Sequence, residues 1–133
     1  MITEDYVSFE TAKLLKERGF DKYPIFPCYK EDDSKLFIDI PTTLDTINYH
    51  FIPAPTLQMA MKWLRVVHKL GVFPTTFYRE MGGKVKHDYG STIVRLDTFE
   101  VIGNKNFEDY TFAADTYEET AEKTIKYCLE NLI

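Results

Sequence analysis

The sequence predicts a single α+β domain spanning residues 1–133, with three helices packed on a mainly antiparallel β-sheet in the order α-β-β-(β)-α-β-β-β-α. Three observations support this fold class. Three separated stretches show helical periodicity, short aromatic-rich runs lie between them, and the turn residues that join those runs suit hairpins. A chain of 133 residues with 15% aromatic side chains can fill a core without disulfides.

The central helix is predicted over residues 54–71 (APTLQMAMKWLRVVHKLG), with Thr56 as N-cap and Gly71 ending it. Its apolar residues form two adjacent rows. The first comprises Leu57, Ala60, Met61, Leu64, Val67 and His68; the second comprises Met59, Trp63, Val66 and Leu70. So wide an apolar arc predicts cover on more than one side, with Trp63 in the core. Gln58, Lys62, Arg65 and Lys69 form the polar stripe.

The first helix is predicted over residues 9–18, capped by Ser8. Gly19 and Phe20 follow it as a glycine that ends the helix and an apolar residue that folds back on the last turn. The helix is too short to be stable alone, so it must pack against the rest of the domain.

The last helix is predicted over residues 116–133. Thr116 and Glu119 have the spacing of a capping box. The pairs Glu119–Lys123 and Glu122–Lys126 have the spacing of ion pairs within a helix. Its buried stripe is predicted to comprise Tyr117, Ala121, Ile125, Cys128, Leu129 and Leu132.

The first β-rich part lies between the first two helices. Residues 23–29 resemble a strand, but Pro24 and Pro27 predict an edge strand or an extended arm, since proline cannot donate to a ladder. Residues 36–40 alternate as a strand with one face buried. Residues 44–52 are ambiguous between a third strand and a loop.

The second β-rich part begins with a hairpin of residues 72–80 and 84–89. A two-residue Gly-Gly loop would place Arg79 opposite Lys86, a like-charge pair. A three-residue loop places Glu80 opposite Lys84 and is therefore favoured. Further strands are predicted over residues 92–96 and 99–102.

Charge and hydropathy indicate a cytoplasmic protein. The formal net charge of −5 provides no general attraction to nucleic acid or to an anionic membrane. No apolar run approaches the length of a bilayer span, and the acidic start lacks a signal-peptide pattern. Cys28 and Cys128 are expected to be unpaired, buried side chains.

The motifs of catalysis and cofactor binding are missing from the sequence. His50, His68 and His87 have no metal-ligand spacing, and neither a nucleophile elbow nor a phosphate-binding loop occurs. His68 is predicted at the edge of the core. We therefore predict a non-enzymatic protein without cofactor or metal. An alternative stays open, in which these histidines meet a carboxylate in a composite enzyme site.

A second alternative is a nucleic-acid-binding surface on the hairpin of residues 78–89. Aromatic and basic side chains alternate there, an arrangement that can stack bases and contact phosphates. The candidate residues are Tyr78, Arg79, Lys84, Lys86, His87 and Tyr89. The acids Glu80 and Asp88 lie in the same hairpin and, with the net charge, disfavour nucleic acid.

Three stretches together resemble a known group of proteins: YVSFETAKLLKERGF, APTLQMAMKWLRVVHKLGV and YTFAADTYEETAEKTIKYCLENLI. They are similar to the helices of small proteins carried by phages and mobile elements of gut anaerobic bacteria, a group with no assigned activity. The resemblance implies an intracellular accessory protein and transfers no site residue. The first functional hypothesis is therefore an accessory protein that binds another protein or a second copy of itself.

Overall fold

The computed structural model describes residues 4–20, 27–31, 34–38, 51–102 and 112–133. The elements follow the predicted order, and the α+β fold class is confirmed. They are α1 (Phe9–Glu17), β1 (Cys28–Lys30), β2 (Leu36–Phe37), β3 (Phe51–Pro53), α2 (Leu57–Val67), β4 (Leu70–Met81), β5 (Lys84–Arg95), β6 (Val101–Ile102) and α3 (Tyr117–Asn131). Where a single sheet was predicted, the described strands form two antiparallel three-stranded sheets, β2-β1-β3 and β4-β5-β6.

The prediction of an edge strand over residues 23–29 is wrong for the part that the structure describes. β1 is the central strand of its sheet, paired with β2 on one side and β3 on the other. Pro27 precedes the strand, so it removes no hydrogen bond from the ladder. Pro24 lies outside the described residues. Of the ambiguous stretch, Phe51 begins β3, and residues 39–50 also lie outside the described part.

The predicted start and end of α1 are confirmed. The Ser8 side chain accepts a hydrogen bond from the backbone N–H of Thr11. At the other end Gly19 has a φ of +101°, and the N–H of Phe20 donates to the carbonyl of Leu15 at 2.8 Å. These are the features of a Schellman ending, which turns Phe20 back toward the body of the protein.

Thr56 caps α2 as predicted, but Gly71 does not end it. The helix ends at Val67, His68 is the C-cap, and Lys69 takes the left-handed conformation with a φ of +56°. Gly71 instead lies in β4, where a Cβ would meet the Phe73 ring at 2.7 Å. Gly71 therefore lies where the Phe73 ring packs against the backbone, and it does not end the helix.

The predicted register of the β4–β5 hairpin is wrong. The loop has two residues, Gly82 and Gly83, with φ values of +57° and +79°. Arg79 consequently lies opposite Lys86 in the register. Two-residue loops with left-handed residues at both positions match the twist of paired strands, so turn geometry outweighs the like-charge pair. β5 is also continuous from Lys84 to Arg95, where two strands were predicted.

The core lies between the β4–β5–β6 sheet and the helices, with α2 and α3 both contacting β4. Thr116 caps α3 as predicted. Its buried residues are Thr120, Ala121, Thr124, Ile125, Cys128 and Leu129, so two threonines replace the predicted Tyr117 and Leu132. Cys28 and Cys128 are unpaired and buried, as predicted. Burial raises the pKa of the Cys28 thiol to about 11 and that of Cys128 to about 12.

Glu122 and Lys126 of α3 contact α1, although Lys126 also lies 4.0 Å from Glu130 of its own helix. The Glu122 carboxylate accepts hydrogen bonds from the backbone N–H of Ser8 at 2.9 Å and from the Thr11 hydroxyl at 2.5 Å. Lys126 contacts Glu10 at 3.1 Å. The spacing within α3 predicted the pairs Glu119–Lys123 and Glu122–Lys126. Packing of α1 against α3 instead gives Glu122 and Lys126 close partners at α1.

Candidate binding groove on the central helix

The second apolar row is only partly covered: Leu70 is buried and Trp63 is half-buried, but Met59 and Val66 face outward, as does Val67 of the first row. Met59, Val66 and Val67 are 51%, 55% and 53% exposed. Val67 was predicted to be buried with Leu57, Ala60, Met61 and Leu64. Those four residues are buried, but Val67 is not. Three large apolar side chains on one short helix form an exposed patch of the kind that marks interaction sites.

This row forms one wall of a groove of about 410 Å³, here called the α2 groove. The helix contributes Met59, Lys62, Trp63, Val66 and Val67. The opposite side is formed by residues that flank β1 and β3 and by the end of α1: Phe20, Pro27, Pro53, Ala54 and Pro55. Tyr6 and Thr56, whose backbones pair in an isolated bridge, complete the lining at the start of α2. The volume lies in the range of pockets that bind ligands.

Trp63 is half-buried and packs against the core while also lining the groove. Its ring meets Phe20 edge-to-face with centroids 5.5 Å apart. On another side it meets the His68 ring, with centroids 4.6 Å apart. The prediction that Trp63 belongs to the core is therefore only partly right, because aromatic neighbours hold its ring at the surface of the groove.

The groove is almost devoid of charge. Of the residues that the structure describes, Lys62 is the only charged one in the lining, and no described carboxylate contributes to it. Thr56 uses its hydroxyl to cap α2. Such a surface favours an apolar ligand over a polar or phosphorylated one.

His68 lies at the edge of the core, as predicted, with its ring against Trp63. Its Nε2 atom is buried, and no group among the described residues makes a hydrogen bond with it. Burial lowers the pKa of His68 from its ordinary value. The neutral imidazole is therefore the form that the folded protein favours.

We expect protonation of His68 to destabilise the fold. As pH falls through the ordinary histidine pKa of about 6.5, the unfolded chain takes up a proton before the folded one does. The free energy of unfolding should fall from there until pH is below the lowered pKa of the folded state. The measurement is urea unfolding between pH 7.5 and 5, followed by Trp63 fluorescence. His68→Phe, which keeps an aromatic ring, should lose this part of the pH dependence; parallel profiles would contradict the assignment.

The structure does not test the composite histidine site. His50 lies outside the described residues, and so does the side chain of His87, whose backbone lies in β5 opposite Tyr78. Among the described residues no group of three or more His, Cys, Asp or Glu side chains could hold a metal ion.

The residues predicted to bind nucleic acid all lie on the β4–β5 hairpin. Tyr78 is 72% exposed, and Lys84 is exposed beside the turn. Tyr89 is half-buried, and its backbone pairs with Ala114 through two hydrogen bonds of 3.0 Å. The structure describes only the backbones of Arg79, Lys86 and His87, in β4 and β5. Of the two candidate tyrosines, only Tyr78 is largely exposed for stacking.

Comparison of the chain with family models, with curated proteins and with solved structures finds no match in any of the three. Within the ranges that the structure describes, no helix has the length and apolar character needed to cross a bilayer. The apolar residues of the α2 groove are visible in the sequence as a helical row, but no local signal indicates that part of this row stays uncovered.

Proposed function

We propose that the protein is a non-enzymatic accessory protein that acts by binding a partner protein through the α2 groove. The observation that carries this proposal is the outward-facing apolar row of α2, in which Met59 and Val66 are each more than half exposed. Exposed apolar side chains lower the solubility of a protein and do not stabilise its fold. A binding role explains their presence.

The shape of the groove supports a binding role. Phe20 is fixed by the ending of α1, and Trp63 is held between Phe20 and His68. A rigid aromatic floor loses little side-chain entropy on binding and can serve as an anchor for a partner side chain. Within the described part of the chain, the polar side chains of the lining are Lys62 and the hydroxyls of Tyr6 and Thr56, which include no paired acid and base. This composition favours recognition over catalysis.

The proposed setting is the bacterial cytoplasm, in a phage or mobile element. The resemblance of the three helical stretches to small phage and mobile-element proteins supports this origin. The two unpaired cysteines are compatible with a reducing compartment.

Nucleic-acid binding by the hairpin is the weaker proposal. The observation in its favour is that the two-residue turn places the basic residues Arg79 and Lys86 opposite each other in the register. Against this, Glu80 is exposed in the same strand, and Tyr89 is half-buried. Two stacking rings and a continuous basic surface are the usual requirements for single-strand binding.

A panel of synthetic amphipathic peptides without tryptophan tests the groove. Each peptide carries leucine or phenylalanine at i, i+3 or i+4, and i+7, with a neutral polar face. We expect binding to change the emission of Trp63, the only tryptophan in the chain. Val66→Glu should weaken binding by at least about tenfold, since it places an ionised carboxylate in an apolar groove.

Val85→Glu is the matched control, because Val85 is 63% exposed and lies on the hairpin outside the groove. It should bind the peptides as the wild type does. Circular dichroism should show that both variants are folded. Absence of binding by the wild type, or equal loss in both variants, would refute the proposed function.

A further inference from the structure

We infer that the partner segment is an amphipathic helix with acidic residues along one flank, an inference that rests on the proposed function of the α2 groove. The groove supplies the apolar contact, and the basic stripe of α2 beside it supplies the charge selection. These two features favour a helical partner segment with negative charge.

The basic stripe runs along one side of the groove. Lys62 lines the groove itself, Arg65 continues the stripe on the exposed surface of α2, and Lys69, just after the C-cap, is also exposed. The Lys69 ammonium donates to the carbonyl of Val66 at 3.2 Å, which holds its charge next to a residue of the groove. Within the helix, Lys62 and Arg65 lie about 4.5 Å apart along the axis, at a rise of 1.5 Å per residue. Acidic residues at i and i+3 or i+4 on a partner helix have the matching spacing.

Negative charge lies on the other side of Tyr6 from the groove. Tyr6 also lines a neighbouring cleft, whose acidic residues are Asp5, Glu118, Glu119 and Glu122. Acidic residues of a partner would be repelled from that cleft and attracted to the stripe that includes Lys62. The partner's acidic flank is therefore expected over the basic stripe, away from Tyr6, which fixes how the helix is rotated in the groove.

The lining favours a helix over a strand. Strand addition needs backbone N–H and C=O groups that are free along an edge. Three residues of the wall opposite α2 are prolines (Pro27, Pro53 and Pro55), which have no N–H. The backbone of α2 is bonded within the helix. The partner must therefore bind through its side chains, as an amphipathic helix in a groove does.

A second copy of the chain is a poor occupant. An antiparallel twofold contact between two α2 helices would bring Lys62, Arg65 and Lys69 against the same residues of the other copy. Like charges at such a contact are unfavourable, and α2 has no acidic residue to compensate them. Charge complementarity therefore favours a different, acidic partner.

The test compares three peptides with one apolar face and with glutamate, glutamine or lysine on the flanks. Affinities are measured from Trp63 emission at low salt and at 0.5 M salt. We expect the order glutamate, glutamine, lysine, with at least about a tenfold difference between the extremes at low salt and a smaller one at high salt. Lys62→Glu should abolish or reverse the order. Lys84→Glu, which changes the net charge equally but lies on the hairpin, should leave the order unchanged.

The remaining outcomes are separable. Equal affinity of the three peptides would overturn the inference about charge but leave the proposed function standing. Failure of all three to bind would overturn both. Dimerisation in sedimentation that Val66→Glu abolishes would assign the groove to a second copy. Binding to phosphatidylserine vesicles that Val66→Glu abolishes would assign it to a membrane surface. Either of these two results would overturn the acidic helix as its occupant.

Discussion

Leu64→Ala is expected to lower the free energy of unfolding by about 2–5 kcal/mol, the range for truncating a buried leucine. Leu64 is fully buried on the inner face of α2. Removing its isobutyl group leaves a cavity that the surrounding helices and sheet can only partly fill. Urea unfolding followed by far-UV circular dichroism measures the change.

Val67→Ala is the matched control in the same helix. Helical periodicity places Val67 on the face of Leu64, but the structure exposes 53% of it at the groove. We therefore expect a cost within about 0.5 kcal/mol, as for other surface substitutions. Similar costs for the two variants would mean that α2 is rotated from the orientation described.

Glu122→Ala is expected to lower the free energy of unfolding by about 2–3 kcal/mol, because the carboxylate accepts two hydrogen bonds and hydrogen bonds to charged groups are the stronger kind. It binds the N–H of Ser8 and the hydroxyl of Thr11, which is fully buried. Its charge also lies at the start of α1, where the helix dipole favours an anion. Thermal and urea unfolding measure the loss.

A double-mutant cycle with Thr11→Val tests whether Glu122 acts through α1. The two substitutions should be non-additive, with a coupling free energy of about 1 kcal/mol. Glu118→Ala, an exposed residue in the first turn of α3, is the control and should cost less than about 1 kcal/mol. Full additivity of Thr11→Val and Glu122→Ala would show that the contact contributes nothing to stability.

The helix boundaries set by local chemistry could be predicted from the sequence. Ser8, Thr56 and Thr116 each cap the helix that follows them, and Gly19 ends α1. Each signal depends on residues within a few positions of the boundary, so no knowledge of the tertiary structure is needed. The order of elements follows from the same signals.

Predictions that depend on distant contacts failed. Gly71 resembled a helix terminator, but Lys69 adopts the left-handed conformation, and Gly71 lies in β4 against the ring of Phe73. β1 was expected at an edge, yet it has a strand on each side. β2 follows β1 after a turn, whereas β3 lies more than 20 residues further along the chain. Such roles are set by which surfaces meet in the folded protein.

The residues that α2 contributes to the candidate site could be predicted from the sequence, but the groove itself could not. The sequence shows a second apolar row containing Met59 and Trp63 and a basic stripe containing Lys62. The same pattern suits a helix that is covered on both sides, so it cannot distinguish a core element from one wall of a groove. That distinction depends on Phe20 and the segment around Pro53, which meet α2 only in the fold.

Methyl NMR of the protein with the glutamate-flanked peptide tests whether the α2 groove binds an amphipathic helix. If the α2 groove is the binding site, intermolecular NOEs should connect the methyl groups of Met59, Val66 and Val67 with the leucine methyls of the peptide. Val85 on the hairpin should show no such contact. NOEs confined to Val85, or none from the three groove residues under saturating peptide, would show that the peptide does not bind in the α2 groove.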